Sequence, residues 1–153
     1  LKSSEISEYI VKNKSEAFNN IIQKNEIIIT ADTLVWFESQ CLGKPKNKIE
    51  AKQMLKLFSG KPHDVITSVG FLTINSFKIL TQCTTVTYKL LTDDEINYYV
   101  EKVNPIDKAG SYGIQDWIGM IGVENVSGSY TSVLGLPVPQ VTNEITKIIN
   151  ENL

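Results

Sequence analysis

The sequence predicts one α/β domain, a mixed and twisted sheet flanked by helices, and three observations carry that expectation. Helical and extended stretches alternate along the chain without internal repeats or low-complexity tracts. The extended stretches are rich in β-branched residues, and the helical ones are preceded by capping residues. A chain of 153 residues with 42% hydrophobic content is about what a single compact core requires, so the domain spans residues 1–153.

Each element follows in turn. Ile6, Tyr9, Ile10, Ala17, Ile21 and Ile22 recur at mostly helical spacing and predict a first amphipathic helix over 4–22. The stretch IIITADTLVW, residues 27–36, reads as a buried strand with one anomaly, Asp32. An ionised carboxylate in such a run is costly unless it is paired, binds a metal or sits at the strand's exposed end, and the strand end is the expected place. Asn47 with Glu50 resembles a capping box, with Ile49, Met54, Leu55 and Phe58 as the stripe of its helix and Gly60 as its stop. Strands over Val65 to Ile74 and Ile79 to Leu90 meet at a turn around Asn75 and Ser76. Thr92 and Glu95 form a second capping box, opening a helix through Ile96, Tyr99, Val100 and Val103. Further strands are predicted over Trp117 to Val123 and Tyr130 to Leu134, before Pro139 opens a last helix through Val141, Ile145, Ile148 and Ile149.

Composition narrows the function classes. A net charge of −2 speaks against nonspecific nucleic-acid binding. No apolar run reaches the roughly 20 residues of a membrane span, and no signal peptide is recognisable, which points to a soluble, cytoplasmic protein with no membrane partner. Leu1 in place of methionine predicts a sequence that begins inside a longer reading frame or follows processing. Cys41 and Cys83 are too few for a disulfide framework or zinc knuckle, and the only histidine, His63, is expected on a solvent-facing loop. Carboxylate, lysine and hydroxyl chemistry remains.

Polar motifs sit at the joins between elements, where α/β proteins place ligands. In order they are Ala31-Asp32-Thr33, Gly43-Lys44-Pro45, SGKPHDVITSV from Ser59 to Val69, Asp107 to Gln115, Gly128-Ser129-Tyr130 and Gly135-Leu136-Pro137. This succession closely resembles the Maf family of nucleoside triphosphate pyrophosphatases, and the resemblance runs from about Leu1 to the last helix. It implies a fold similar to that of the inosine triphosphate pyrophosphatases, two-lobed with a central cleft, and commonly a homodimer. The implied reaction hydrolyses a nucleotide between its α and β phosphates with a divalent metal cation, Mg²⁺ or Mn²⁺. Tyr112-Gly113-Ile114-Gln115 resembles the branch acting on dTTP and UTP, with modified pyrimidine nucleotides as further substrates. The resemblance departs at the start, where the family's opening strand, its Ser-x-x-Arg-Arg motif and the glutamate after it are absent from this sequence.

The resemblance also assigns roles. Asp32 matches the catalytic aspartate, as proton acceptor for the attacking water or as metal ligand. Lys44 matches the lysine whose ammonium reaches the phosphates, with Gly43 permitting close approach, and Lys14 falls where the family often keeps another lysine. Gln115 and Thr33 correspond to positions that set base preference. The Gln115 amide offers one donor and one acceptor to O4 and N3–H of uracil or thymine; because a rotated amide also suits cytosine, Thr33 or another group must break the tie. Lys46, Lys48 and Lys52 read as solvated, Asp107 and Lys108 as a structural ion pair or a phosphate contact, and Trp36, Trp117 and Tyr112 as core or dimer contacts. The alternative from another class is a nucleotide-binding regulator of cell division that binds without turnover.

Overall fold

A computed structural model describes residues 3–151; Leu1, on which the expectation of a longer reading frame rests, lies outside them. Five strands form one sheet in the order β2-β1-β3-β4-β5, with β1 at Ile28–Phe37, β2 at Gln40–Leu42, β3 at Pro62–Leu72, β4 at Phe77–Tyr88 and β5 at Val123–Ser127. Every pairing is antiparallel, where the sequence reading expected a mixed sheet. Tight turns join β1 to β2 and β3 to β4, whereas the chain passes through one helix before β3 and through two further α-helices before β5. The β3–β4 turn falls at Asn75-Ser76 as expected, closed by Thr73, whose hydroxyl accepts from the backbone N–H groups of Asn75 and Ser76.

The first helix, α1 (Ser4–Glu16), is shorter than predicted, because residues 17–20 continue only as turns. Its underside is unusual: among the described residues only Ser7, Val11 and Ser15 of α1 are buried, so hydroxyls replace most of the apolar stripe. Ser7 Oγ lies 2.7 Å from Ser68 Oγ, and Ser68 Oγ lies 2.9 Å from Thr81 Oγ1. Thr81 then donates to Glu8, and Ser15 Oγ sits 2.7 Å from Thr30 Oγ1. Gly70 in β3 makes room for Val11, since a Cβ there would stand 2.7 Å from Val11 Cγ1.

On the other side of the sheet the period of two places residues 31, 33 and 35 of β1 beside 69, 67 and 65 of β3. Two apolar clusters share this face. Val35, Phe37, Val65, Val86 and Tyr88 pack with α2 (Lys48–Phe58), α3 (Asp93–Val103) and α4 (Trp117–Gly122). Val69 and Phe71 pack with Val141 and Ile148 of α6 (Val138–Asn150), with Ala31 beside them. Thr33 and Thr67, their hydroxyls 2.8 Å apart, lie between the two clusters along the strands.

Caps account for where the helices begin. Thr92 and Glu95 form the complete capping box expected of α3, whereas at α2 only half forms: Asn47 accepts from Glu50 N, but Glu50 turns its carboxylate to Lys46 N at 2.6 Å. Two predicted strands are helices. Residues 117–122 wind into α4 because Gly119 rests against the carbonyl of Ile114 and Gly122 against the Tyr88 ring, and only Val123 onward pairs with β4. Residues 130–133 form the single turn α5 (Tyr130–Val133), capped by Ser129, whose hydroxyl accepts from Ser132 N at 3.2 Å. Among the described residues no helix is long and apolar enough to cross a membrane.

Candidate active site

Asp32 lies in the middle of β1, opposite Ser68, and not at a strand end as the sequence suggested. What spares it from burial is the brevity of β2, which pairs with β1 only at residues 35–37. The side chain keeps 22% of its exposure and faces α1, where Lys14 Nζ donates to Oδ1 at 2.8 Å and to the Ala31 carbonyl at 2.9 Å. The carboxylate is therefore held by an ammonium beside water rather than sealed against backbone amides. Its charge reaches further: burial first, and then Asp32, push the thiol of nearby Cys41 up.

Thr33 follows Asp32 in the chain, so its side chain projects to the opposite face. There it lines a small pocket of about 30 Å³ with Val35, Val65, Ala109, Tyr112 and Val133. The floor is tied together by hydroxyls, since Thr67 Oγ1 donates to the Ser132 carbonyl at 2.7 Å and Thr84 Oγ1 lies 2.9 Å from Ser132 Oγ.

Two further motifs meet at this rim. Gly110 N donates to the Gly43 carbonyl at 3.1 Å, which joins the loop carrying Lys44 to the segment leading to Gln115. Lys44 is exposed and forms no ion pair among the described residues, leaving its ammonium available to an anion. Gly110 (φ 71°) and Ser111 (φ 69°) are consecutive residues in the left-handed region, and Ser111 is pinned to α2 through its hydroxyl's bond to Met54 Sδ at 3.1 Å. Gln115 is exposed within the turn that Asp116 N closes on the Gly113 carbonyl at 3.0 Å. Neither Lys44 nor Gln115 bonds to Asp32.

The remaining charges are structural. Lys48 and Lys52 both bond to Glu101, and Lys108 pairs with Asp107 at 3.6 Å. A groove of about 390 Å³ is lined by Phe71, Lys78, Ile79, Leu80 and Glu144. Its two charges answer one another at 3.7 Å, so it offers a polyphosphate no free cation.

His63 overturns its expectation. It sits in β3 at 3% exposure, with Nε2 2.5 Å from the Tyr112 hydroxyl and its ring stacked on Phe58 at 4.2 Å. Burial lowers its pKa to about 4, so the ring is neutral near pH 7. The signal was the alternation His63, Val65, Thr67, Val69, which puts the histidine on the same buried face as the valines. Tyr112 is core, as expected, and Trp117 is partly exposed against Tyr98, ring centroids 5.0 Å apart.

Among the described residues no three histidine, cysteine, aspartate or glutamate side chains cluster for a metal. Asp32 alone suits a hard cation such as Mg²⁺, which accepts one carboxylate and completes its shell with waters and phosphate oxygens.

The family model described as Maf-like protein matches residues 2–148. The dTTP/UTP pyrophosphatase of Flavobacterium psychrophilum is 49% identical over 141 residues, 92% of this chain and 72% of that protein. That of Phocaeicola vulgatus is 48% identical over 148 residues, covering 97% of this chain and 77% of its own length. The corresponding protein of Flavobacterium johnsoniae is 46% identical over 149 residues, with the same two shares.

Proposed function

This chain belongs to the Maf-like protein family, and from that membership we propose that it is a nucleoside triphosphate pyrophosphatase cutting dTTP and UTP to the monophosphate and pyrophosphate. The observation that carries the reading is the 2.8 Å pair of Asp32 and Lys14, a carboxylate and an ammonium brought together from strand and helix at a position open to water. Asp32 accepts the proton of the attacking water as its oxygen bonds to phosphorus and the α–β anhydride bond breaks. Lys14 and Lys44 bind phosphate oxygens and offset the charge that develops on the departing pyrophosphate. A bound divalent cation would supply further neutralisation of that charge, and Asp32 is the residue that would hold it.

Thr33 and Gln115 belong to base selection on the other face of β1. The nucleotide then spans the strand, with its base at the pocket that Thr33 lines and its phosphates towards Lys14. Lys14 neutralises Asp32, and a triphosphate competes for the same ammonium, which frees the carboxylate as substrate binds. A cytoplasmic homodimer built from one domain over residues 1–153 completes the proposal, and sedimentation of the purified protein tests the assembly.

The decisive experiment is pyrophosphate release from a panel of nucleoside triphosphates with Mg²⁺, using the full-length protein. Preferred hydrolysis of dTTP and UTP is expected. Faster hydrolysis of GTP or ITP refutes the base-selection reading, because a site built to bond particular base edges rejects others strongly. Tight binding with no turnover would instead favour the regulator.

A further inference from the structure

The ring of His63 is an expensive choice for its surroundings. It stacks between Phe58 and Tyr88, with centroid distances of 4.2 and 5.9 Å, in a cluster where phenylalanine would pack as well. Its Nδ1 is buried with no hydrogen-bond partner among the described residues, leaving the bond from Nε2 to the Tyr112 hydroxyl as the ring's one polar tether. Buried polar groups that stay half-satisfied weaken a core, so a residue retained on those terms calls for a role outside packing.

The tether leads to the base-selecting turn. Tyr112 walls the pocket that contains Thr33, and it immediately precedes the turn 113–116 bearing Gln115. That turn is gripped at its far end too, where the Tyr99 hydroxyl donates to Asp116 Oδ2 at 2.8 Å, and Ile114 is buried between the two grips. Gln115 folds back across the turn: a Cβ on Gly113 would stand 2.9 Å from its Oε1. The amide's position is thus set by the backbone from 112 to 116. Upstream of Tyr112 the backbone is already held, by Gly110 N on the Gly43 carbonyl and by the Ser111 hydroxyl on Met54 Sδ. His63 adds the polar tether at the tip of the Tyr112 side chain.

We propose that His63 is a positioning residue for base recognition, fixing Tyr112 through its Nε2 bond and thereby the Gln115 amide that meets the pyrimidine edge. The proposal rests on the assignment of Gln115 to base reading and deepens it. Histidine and tyrosine act here as one unit, since removing either hydrogen-bond partner frees the same end of the turn.

The test measures kcat/KM for UTP and CTP with the full-length protein and its Tyr112→Phe, His63→Phe and Gln115→Ala variants, and with the Tyr112→Phe/Gln115→Ala pair. Tyr112→Phe deletes one oxygen and keeps the ring; His63→Phe keeps the stack. The expected result is a fall of about tenfold in the UTP-to-CTP ratio for each of the first two, carried by KM for UTP rather than kcat, with the thermal midpoint of His63→Phe no lower than that of the parent. Tyr112→Phe should add nothing once Gln115 is alanine, because the two act in series. If Gln115→Ala collapses the ratio while Tyr112→Phe keeps the parent's value, the positioning role is wrong and base reading by Gln115 stands. If Gln115→Ala itself leaves the ratio unchanged, base reading fails and the positioning role falls with it. Additive losses in the double variant also overturn the proposal. Should His63→Phe not fold, Tyr112→Phe alone decides.

Discussion

Replacing Asp32 with asparagine separates chemistry from stability more sharply than any other single change. The Asp32–Lys14 pair spans 2.8 Å, with the two side chains 22% and 47% exposed. Coulomb's law in a water-like dielectric gives about 1.5 kcal/mol at that distance, and side-chain ordering and salt reduce such pairs to about 1 kcal/mol or less. For a domain of this size the thermal midpoint should therefore move by about 2–4 °C at most. Loss of a general base, by contrast, lowers turnover by about 10²- to 10⁴-fold, equivalent to about 3–5 kcal/mol of activation free energy. The assay pairs steady-state pyrophosphate release from UTP with a thermal melt of the same preparation, in the full-length protein. Asp32→Asn should melt almost as the parent does, still bind nucleotide and turn over at a hundredth of the rate or less. A variant that keeps more than a tenth of the parent's turnover refutes the reasoning.

Three other expectations concern the fold and the cation. Because burial holds His63 neutral down to about pH 4 while the unfolded chain takes up the proton near 6.5, stability is fully present above 6.5 and declines as pH falls towards 4. The slope is about 1.4 kcal/mol per pH unit and the total about 3 kcal/mol; urea midpoints measured across that window should be flatter in His63→Phe, and equal slopes would contradict the assignment. Chelation of divalent cations should abolish pyrophosphate release and leave the thermal midpoint unchanged, since no cluster of three ligating side chains exists among the described residues to stabilise the fold. Gly119→Ala should cost about 3 kcal/mol or more in urea unfolding, because its methyl group would stand 2.1 Å from the Ile114 carbonyl oxygen; a midpoint like the parent's would show that α4 is not packed as described.

Strong local signals survived folding, and weak ones were overruled by contacts far away in sequence. The capping box of Thr92 and Glu95 and the turn at Asn75-Ser76 are decided within a few residues, so both could be read directly. The segment Trp117 to Val123 could not, because bulky residues spaced by Gly119 and Gly122 mimic a strand until Ile114 and Tyr88 are known to pack against those glycines. The short strand β2 was hidden for a local reason: Glu38 and Ser39 turn the chain with positive φ, in place of the Asn-Gly pair that announces such hairpins. At the site, Asp32 was conspicuous as a charge among isoleucines, whereas Lys14 and Thr33 were marked only by the family resemblance. His63 was misjudged because a histidine amid Lys61, Pro62 and Asp64 looks like loop chemistry, although its alternation with Val65, Thr67 and Val69 pointed to the buried face, where it pairs with Val86.

The hydroxyl seam under α1 has one more consequence. A helix resting on a greasy stripe can creep along its axis at little penalty, since one methyl group substitutes for another. Interlocked serines and threonines do not allow this: a slip of one 5.4 Å turn would carry Ser7 away from Ser68 and Ser15 away from Thr30 together. The seam behaves as a keyway, sacrificing some adhesion to hold a single axial setting. It is that setting which delivers the tip of Lys14 to one chosen oxygen on the neighbouring strand.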